Sequence, residues 1–320
     1  VTLIDQIAAR WNTRTKPQGS LGRLENLAQE FCLMRGEVLP RLERLGLYLY
    51  AADHGVTAEG ISLYPKEVTR QMVANFEAGG AAVNVLARAH DVVVNVVDAG
   101  VGEGTKNFAR EAAMSEAECA AQIEAGREDA RQAIRKFDMV GVGEMGIGNT
   151  TSAAALLAAL CGRSGAEVAG RGTGLDASGV KHKADVIDAA LELHQLQGKS
   201  AFEVLRSVGG FEIARMSGML MEAGKLRLPV MLDGFITGSA ALVAMKMEPQ
   251  AREVMFFSHR SAERGHGAML EELDGDPILE LGMRLGEGSG AVLGMHMVRC
   301  AMKMYSEMAS FEDAQVSRSE

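Results

Sequence analysis

Short apolar runs rich in β-branched and aromatic residues alternate along the chain with longer stretches in which apolar positions recur every three or four residues. The runs predict strands near 46–52 (GLYLYAA), 92–97 (VVVNVV), 138–142 (DMVGV), 228–232 (LPVML) and 253–257 (EVMFF). The helical period predicts helices over 66–77, 79–89, 115–136, 150–161, 178–195, 211–225, 237–247 and 261–272, several opening with Pro, Ser or Thr near the first turn. Alternation of this kind builds βαβ units and a mostly parallel sheet. Two regions stand outside it: the N-terminal segment reads as helices split by KPQGSLG (16–22), and 290–309 as one Met-rich amphipathic helix. The two ends, 1–42 and 285–320, are expected to pack together as a small helical subdomain beside an α/β domain over 43–284.

Composition narrows the picture. Of 320 residues, 37 are glycine, without a three-residue period and with only 6 prolines, so the glycines serve loop geometry rather than collagen or low complexity. A net charge of −9 argues against nonspecific nucleic-acid or anionic-membrane partners, so an anionic ligand has to be held locally. Cys32, Cys119, Cys161 and Cys300 are far apart with no C-x-x-C pair, which predicts reduced thiols, no zinc site and a cytoplasmic location. No apolar run reaches the roughly 18 residues of a bilayer span. The chain starts at Val1 rather than Met, and a trimmed or renumbered N-terminal segment is expected. The methionine clusters at 214–222 and 295–308 are read as core filling.

In an open parallel sheet, ligands bind outside the carboxyl ends of the strands. Asp53 and His54, Asp98, Glu144, Asp233, and Ser258 with His259 and Arg260 follow the five predicted strands. Each alone reads as a helix cap or turn former, and together they suggest a single site. GVGEMGIGNTTSA (141–153) follows a strand and opens a helix, the setting of an anion cradle. It misses the P-loop because Asn149 replaces the lysine. It misses the dinucleotide fingerprint because Glu167 lies in a glycine-rich loop and not after a strand. GRGTGLDASGVKHK (170–183) adds backbone donors and Lys183. DGFITGSAAL (233–242) loosely resembles the loop of pyrophosphate-dependent phosphoribosyltransferases, with Gly234 replacing the second acid. In LGEGSGA (285–291), Glu287 reads either as a charge favouring a helix N-terminus or as a general base that glycines leave open to substrate. There is no H-E-x-x-H or G-x-S-x-G motif.

Taken in order, KPQGSLGRLE (16–25), ADHGV (52–56), YPKEVTRQMVANFEAGGAAVNVLAR (64–88), GEMGIGNTTSA (143–153), GRGTGLD (170–176), DGFITGSAAL (233–242), FFSHRSAERGH (256–266), LGEGSGA (285–291) and the tail MASFEDAQVS (308–317) resemble the nicotinate-nucleotide:dimethylbenzimidazole phosphoribosyltransferase family. The resemblance implies a three-layer α/β/α fold with a mostly parallel Rossmann-like sheet, a small helical domain from both chain ends, and a homodimer. It implies transfer of phosphoribose from nicotinate mononucleotide to 5,6-dimethylbenzimidazole, with inversion, in cobalamin nucleotide-loop assembly, and no cofactor or metal. On the matching motifs, Glu287 is the catalytic base; Glu144, Gly172, Thr173, Lys183, Gly234, Phe235 and Ser261 surround the nucleotide; and Gln71 is the candidate for the base pocket. The rival readings are a relative using another azole, a purine or a phenol, a non-catalytic nucleotide sensor, and a nicotinamide-dependent oxidoreductase.

Overall fold

Each predicted strand forms, and all five pair in parallel. The computed structural model describes residues 1–317. The strands β1 (Leu45–Ala52), β2 (Val92–Gly100), β3 (Met139–Met145), β4 (Val230–Leu232) and β5 (Met255–Phe257) lie in the order β2-β1-β3-β4-β5. The order reverses between β1 and β3, which opens a crevice beyond their carboxyl ends.

The helices in chain order are α1 (Leu3–Thr13), α2 (Arg23–Arg35), α3 (Glu67–Glu77), α4 (Ala82–Ala89), α5 (Glu116–Lys136), α6 (Asn149–Cys161) and α7 (Gly165–Val168). They continue with α8 (Ala177–Leu193), α9 (Ala201–Val208), α10 (Phe211–Leu226), α11 (Phe235–Met247), α12 (His266–Glu272) and α13 (Ser289–Glu307). The period of two along each strand sends alternate side chains to two cores. Tyr48, Tyr50, Val140, Val142, Val230 and Leu232 face a layer that includes α5, α6, α10 and α11. Leu45, Leu47, Leu49, Met139, Met231 and Phe256 face the other, where Ile7, Trp11, Phe31, Met295 and Tyr305 bring in α1, α2 and α13. Helices on both faces of a parallel sheet make the three-layer fold. One continuous core joins the terminal helices to each other and to the sheet. Met295 and Met302 are buried there and Met216, Met219 and Met221 in the core on the opposite face, in the filling role expected of them.

The differences from the sequence reading have local causes. α9 is an extra helix, opened by a capping box between Ser200 and Glu203. α12 starts at His266 and not at 261, because the Ser261 N–H donates to His266 Nδ1 at 2.7 Å and holds 261–265 as a turn. None of the described helices is long and apolar enough to cross a membrane.

Leu47 links this frame to the loop before α13, since a side-chain carbon placed at Gly288 would lie 2.8 Å from its Cδ1. Leu47→Ala is expected to lower unfolding free energy by about 2–5 kcal/mol, as a buried leucine deletion does. Urea unfolding measures it, and a loss below about 1 kcal/mol would show that the site packs loosely.

Candidate active site

β3 carries Glu144 to the carboxyl edge of the sheet, and the chain turns through Gly146–Gly148 into α6. His54, just after β1, is the floor of this turn. Its Nε2 lies 2.6 Å from Glu212 Oε1 and its Nδ1 3.0 Å from Ser152 Oγ, so one buried ring ties the first turns of α6 and α10 together. Gly148 caps α6 and Gly234 caps α11, neither with a side-chain hydrogen bond at the cap. The starts of two 13-residue helices therefore meet the crevice without a side-chain cap, an arrangement suited to an anion, although the Asn149 and Thr151 N–H groups are taken by Gly146 O and Gly148 O.

The loop before α13 closes a further side of the crevice. Gly286, Glu287 and Gly288 follow one another at φ +83°, +62° and +79°. Glycine adopts these values freely, whereas glutamate does so at a cost. Asp233 holds the strained turn in place: its carboxylate accepts the N–H groups of Gly288 at 3.1 Å, Gly290 at 2.6 Å and Ala291 at 3.1 Å. The loop also lies directly on β3, where a side-chain carbon at Gly143 would fall 2.5 Å from Gly288 N. Gly286 in turn rests against Glu144, whose Oε1 would be 2.6 Å from such a carbon.

These pieces enclose a cavity of 690 Å³ at the strand ends. Glu144, Asp233, Glu263 and Glu287 line it, with Val68, Met72, Met145 and Ile147 as an apolar wall and Tyr64 and Leu285 at exposed positions of its lining. Burial, reinforced by Asp233 and Glu212, raises the Glu144 carboxyl to about 8, although Asn149 Nδ2 donates to it. Burial and the neighbouring Asp233 raise Glu287 to about 7. Asp233 is pushed upward by its own burial, against the pull of His259 and the three N–H donors. His266, lowered to about 4 by burial, is neutral and accepts the Ser261 N–H.

Of the residues expected from sequence, Glu287, Glu144, Gly172, Thr173, Gly234, Phe235 and Ser261 line this one cavity. The Thr173 hydroxyl meets Ser62 Oγ at 3.1 Å and accepts the Leu63 N–H at 3.2 Å, so it fastens the 62–63 segment over the cavity. Lys183 is not in the wall but behind it: its Nζ donates to Thr150 Oγ1 at 3.3 Å, and burial lowers it to about 8. Gln71 is exposed and outside the lining, while Val68 and Met72 of the same helix form the wall. Asp53, Asp98 and Arg260 also stay out, bonding Gly102, Gly100 with Val101, and Glu280 respectively.

A phosphoribosyltransferase family model matches residues 2–316. The nicotinate-nucleotide–dimethylbenzimidazole phosphoribosyltransferase of Pseudomonas putida is 44% identical, over 98% of this chain and 94% of its own length. The protein of the same name from Roseiflexus castenholzii is 47% identical over 97% and 92%. The crystal structure of CobT from Thermus thermophilus superposes with a TM-score of 0.93 at 43% identity, covering 99% of both chains. The chain belongs to the nicotinate-nucleotide–dimethylbenzimidazole phosphoribosyltransferase family.

Within that family assignment, the sequence reading overlooked the apolar wall, Arg284 and the anchoring part played by Asp233. Val68 and Met72 were legible as an i, i+4 apolar pair on one face of α3, whereas Gln71 is turned away by the roughly 100° per residue of a helix.

Two outcomes are expected. Glu287→Gly should exceed Glu287→Ala in thermal stability by about 1 kcal/mol, because glycine relieves the left-handed backbone; equal melting would show that the turn is unstrained. Glu144 holds its proton more tightly folded than unfolded, so its contribution to stability is complete below about pH 4.5 and lost as pH rises through about 8. Glu144→Gln is therefore expected to gain in melting temperature relative to the unsubstituted protein between pH 5 and 9. A constant difference across that range would contradict the raised carboxyl.

Proposed function

We propose that the chain transfers phosphoribose from nicotinate mononucleotide to 5,6-dimethylbenzimidazole, giving α-ribazole 5'-phosphate and nicotinate for cobalamin nucleotide-loop assembly. The observation that carries the reading is Glu287, held by a strained, Asp233-pinned turn in a cavity with anion-binding helix ends on one side and an apolar wall on another.

The chemistry uses these parts in order. The nucleotide phosphate lies at the first turns of α6 and α11, near Gly172, Thr173, Gly234, Phe235 and Ser261, with Lys183 as the counter-charge behind Gly172. Glu144 faces the ribose and the reacting bases. The flat apolar acceptor packs against Val68, Met72, Met145 and Ile147. Its unprotonated ring nitrogen attacks the anomeric carbon from the α face. The bond from that carbon to the pyridinium nitrogen breaks, and the pair neutralises the nitrogen, so nicotinate leaves without needing an acid. The acceptor's N–H proton passes to Glu287. A carboxyl near pH 7 suits that task, since a base is most effective when its pKa lies near the working pH. Protonation of Glu144 at neutral pH reduces the repulsion that a phosphate meets in an acidic cavity.

We place the enzyme in the cytoplasm, a location that suits the four free cysteines. We also propose a homodimer. The exposed apolar side chains Val85 on α4 and Val93 on the edge strand β2 offer a surface for it.

Incubation with nicotinate mononucleotide and 5,6-dimethylbenzimidazole, followed by chromatography, should yield nicotinate and α-ribazole 5'-phosphate in equal amounts; absence of both rejects the reading. Glu287→Gln is expected to retain nucleotide binding and lose about 10²–10⁴ in turnover, and full turnover would return the residue to a structural part. Lys183→Ala is expected to weaken nucleotide binding, and an unchanged affinity would remove Lys183 from the phosphate end.

A further inference from the structure

One charged side chain in the cavity wall has no part in the chemistry above. Arg284 lines the cavity three residues before Glu287, and among the described residues it makes no hydrogen bond, ion pair or ring contact. Nearby, Arg260 is paired with Glu280 and Arg23 with Asp276. Its backbone is anchored on both sides. The Ala262 N–H donates to Met283 O at 3.0 Å, and Ser289 donates to Gly286 O through its N–H at 3.1 Å and its hydroxyl at 2.7 Å.

Arg284 is a solvent-exposed member of the lining, and what singles it out is the charge of the wall around it. Glu144, Asp233, Glu263 and Glu287 all line the same cavity, and among the described residues Arg284 is the only Lys or Arg that lines it. Lys183, a buried cation near the cavity, sits behind Gly172 beside Thr150, at the end served by the α6 first turn. Arg284 lies on the segment that carries Glu287. A substrate with two anionic groups joined through a ribose has an anion for each of these two cations. The phosphate accounts for one of them. The second anion of nicotinate mononucleotide is the carboxylate on its pyridine ring, and that ring is bonded to the carbon where Glu287 has to work.

Resting on the phosphoribosyltransferase reading, we propose that Arg284 is a specificity-determining residue that recognises the pyridine carboxylate of the donor nucleotide and of the departing nicotinate. The guanidinium fork matches a carboxylate in two parallel N–H···O bonds, and charge-assisted bonds of this type are about twice as strong as neutral ones. An amide in place of the carboxylate keeps the size and loses the charge. The donor is thereby oriented with its pyridine ring on the face of the sugar from which it leaves.

The test compares nicotinate mononucleotide with nicotinamide mononucleotide, which share ribose and phosphate and differ only in that group. The unsubstituted enzyme is expected to favour the carboxylate donor by about 10–100-fold in kcat/KM, and Arg284→Gln to reduce that ratio by tenfold or more, with Arg284→Lys intermediate. Equal losses on both donors would overturn the proposal, because they would place Arg284 on the phosphate or in the scaffold. Calorimetry with free nicotinate and free nicotinamide gives a readout independent of turnover: a preference for nicotinate that Arg284→Gln abolishes supports the proposal, and equal affinities in the unsubstituted enzyme overturn it. If the unsubstituted enzyme uses neither donor with 5,6-dimethylbenzimidazole yet prefers nicotinate in calorimetry, it is the transfer reading that fails and the carboxylate site that stands.

Discussion

The buried carboxylate of Asp233 fastens three parts of the molecule at one point. It sits where β4 ends, accepts the N–H groups of Gly288, Gly290 and Ala291, and so fixes the start of α13 and the turn that presents Glu287. A helix N-terminus satisfied from another element is also a helix nailed to that element. The three consecutive left-handed residues are held there despite the strain at Glu287, with Gly288 packed directly against Gly143 of β3. We propose that this constraint converts a loop glutamate into a positioned base.

The same carboxylate shapes the electrostatics. Several acids in one low-dielectric cavity cannot all be charged at neutral pH, and the upward displacement of Glu144 and Glu287 expresses this. Glu144 is the more deeply enclosed and the more strongly raised, and Glu287 stops near neutrality. Two carboxylates of one type are thus separated in proton affinity by their surroundings, the pattern expected where one has to accept a proton and the other has to tolerate an anion. In a protein of net charge −9, the compensation we propose for a phosphate comes from α6, α11 and Lys183 rather than from the overall field.

Much of this was legible in the amino-acid sequence because it rests on periodicities. The ends of the apolar runs located the carboxyl edge of the sheet, and Glu144 and Glu287 stood out as acids set among glycines at such an edge or at a helix start. Properties that depend on packing direction were not legible. Lys183 falls within the predicted helix 178–195, but its sequence position does not show that α8 turns it inward against Gly172 and Thr150. Gln71 differs from Met72 by one step of helical phase, which no local pattern resolves without knowing where the sheet lies. Asp53 and Asp98 share the polar strand-end signature of Glu144 but spend it on turn N–H groups, as Asp commonly does. Asp233 was visible at its strand end, yet its partners lie more than 50 residues away, and only the fold joins them.

The account depends on Glu287 being an ionisable base whose pKa the site has raised. The most direct measurement is the pH dependence of kcat/KM for nicotinate mononucleotide with saturating 5,6-dimethylbenzimidazole, in the unsubstituted enzyme and in Glu287→Gln. The account predicts a rate that rises with pH through a midpoint near 7, as the carboxyl loses its proton, and the disappearance of that limb in the variant. A profile flat from pH 5 to 8, or the same limb in both proteins, would contradict it.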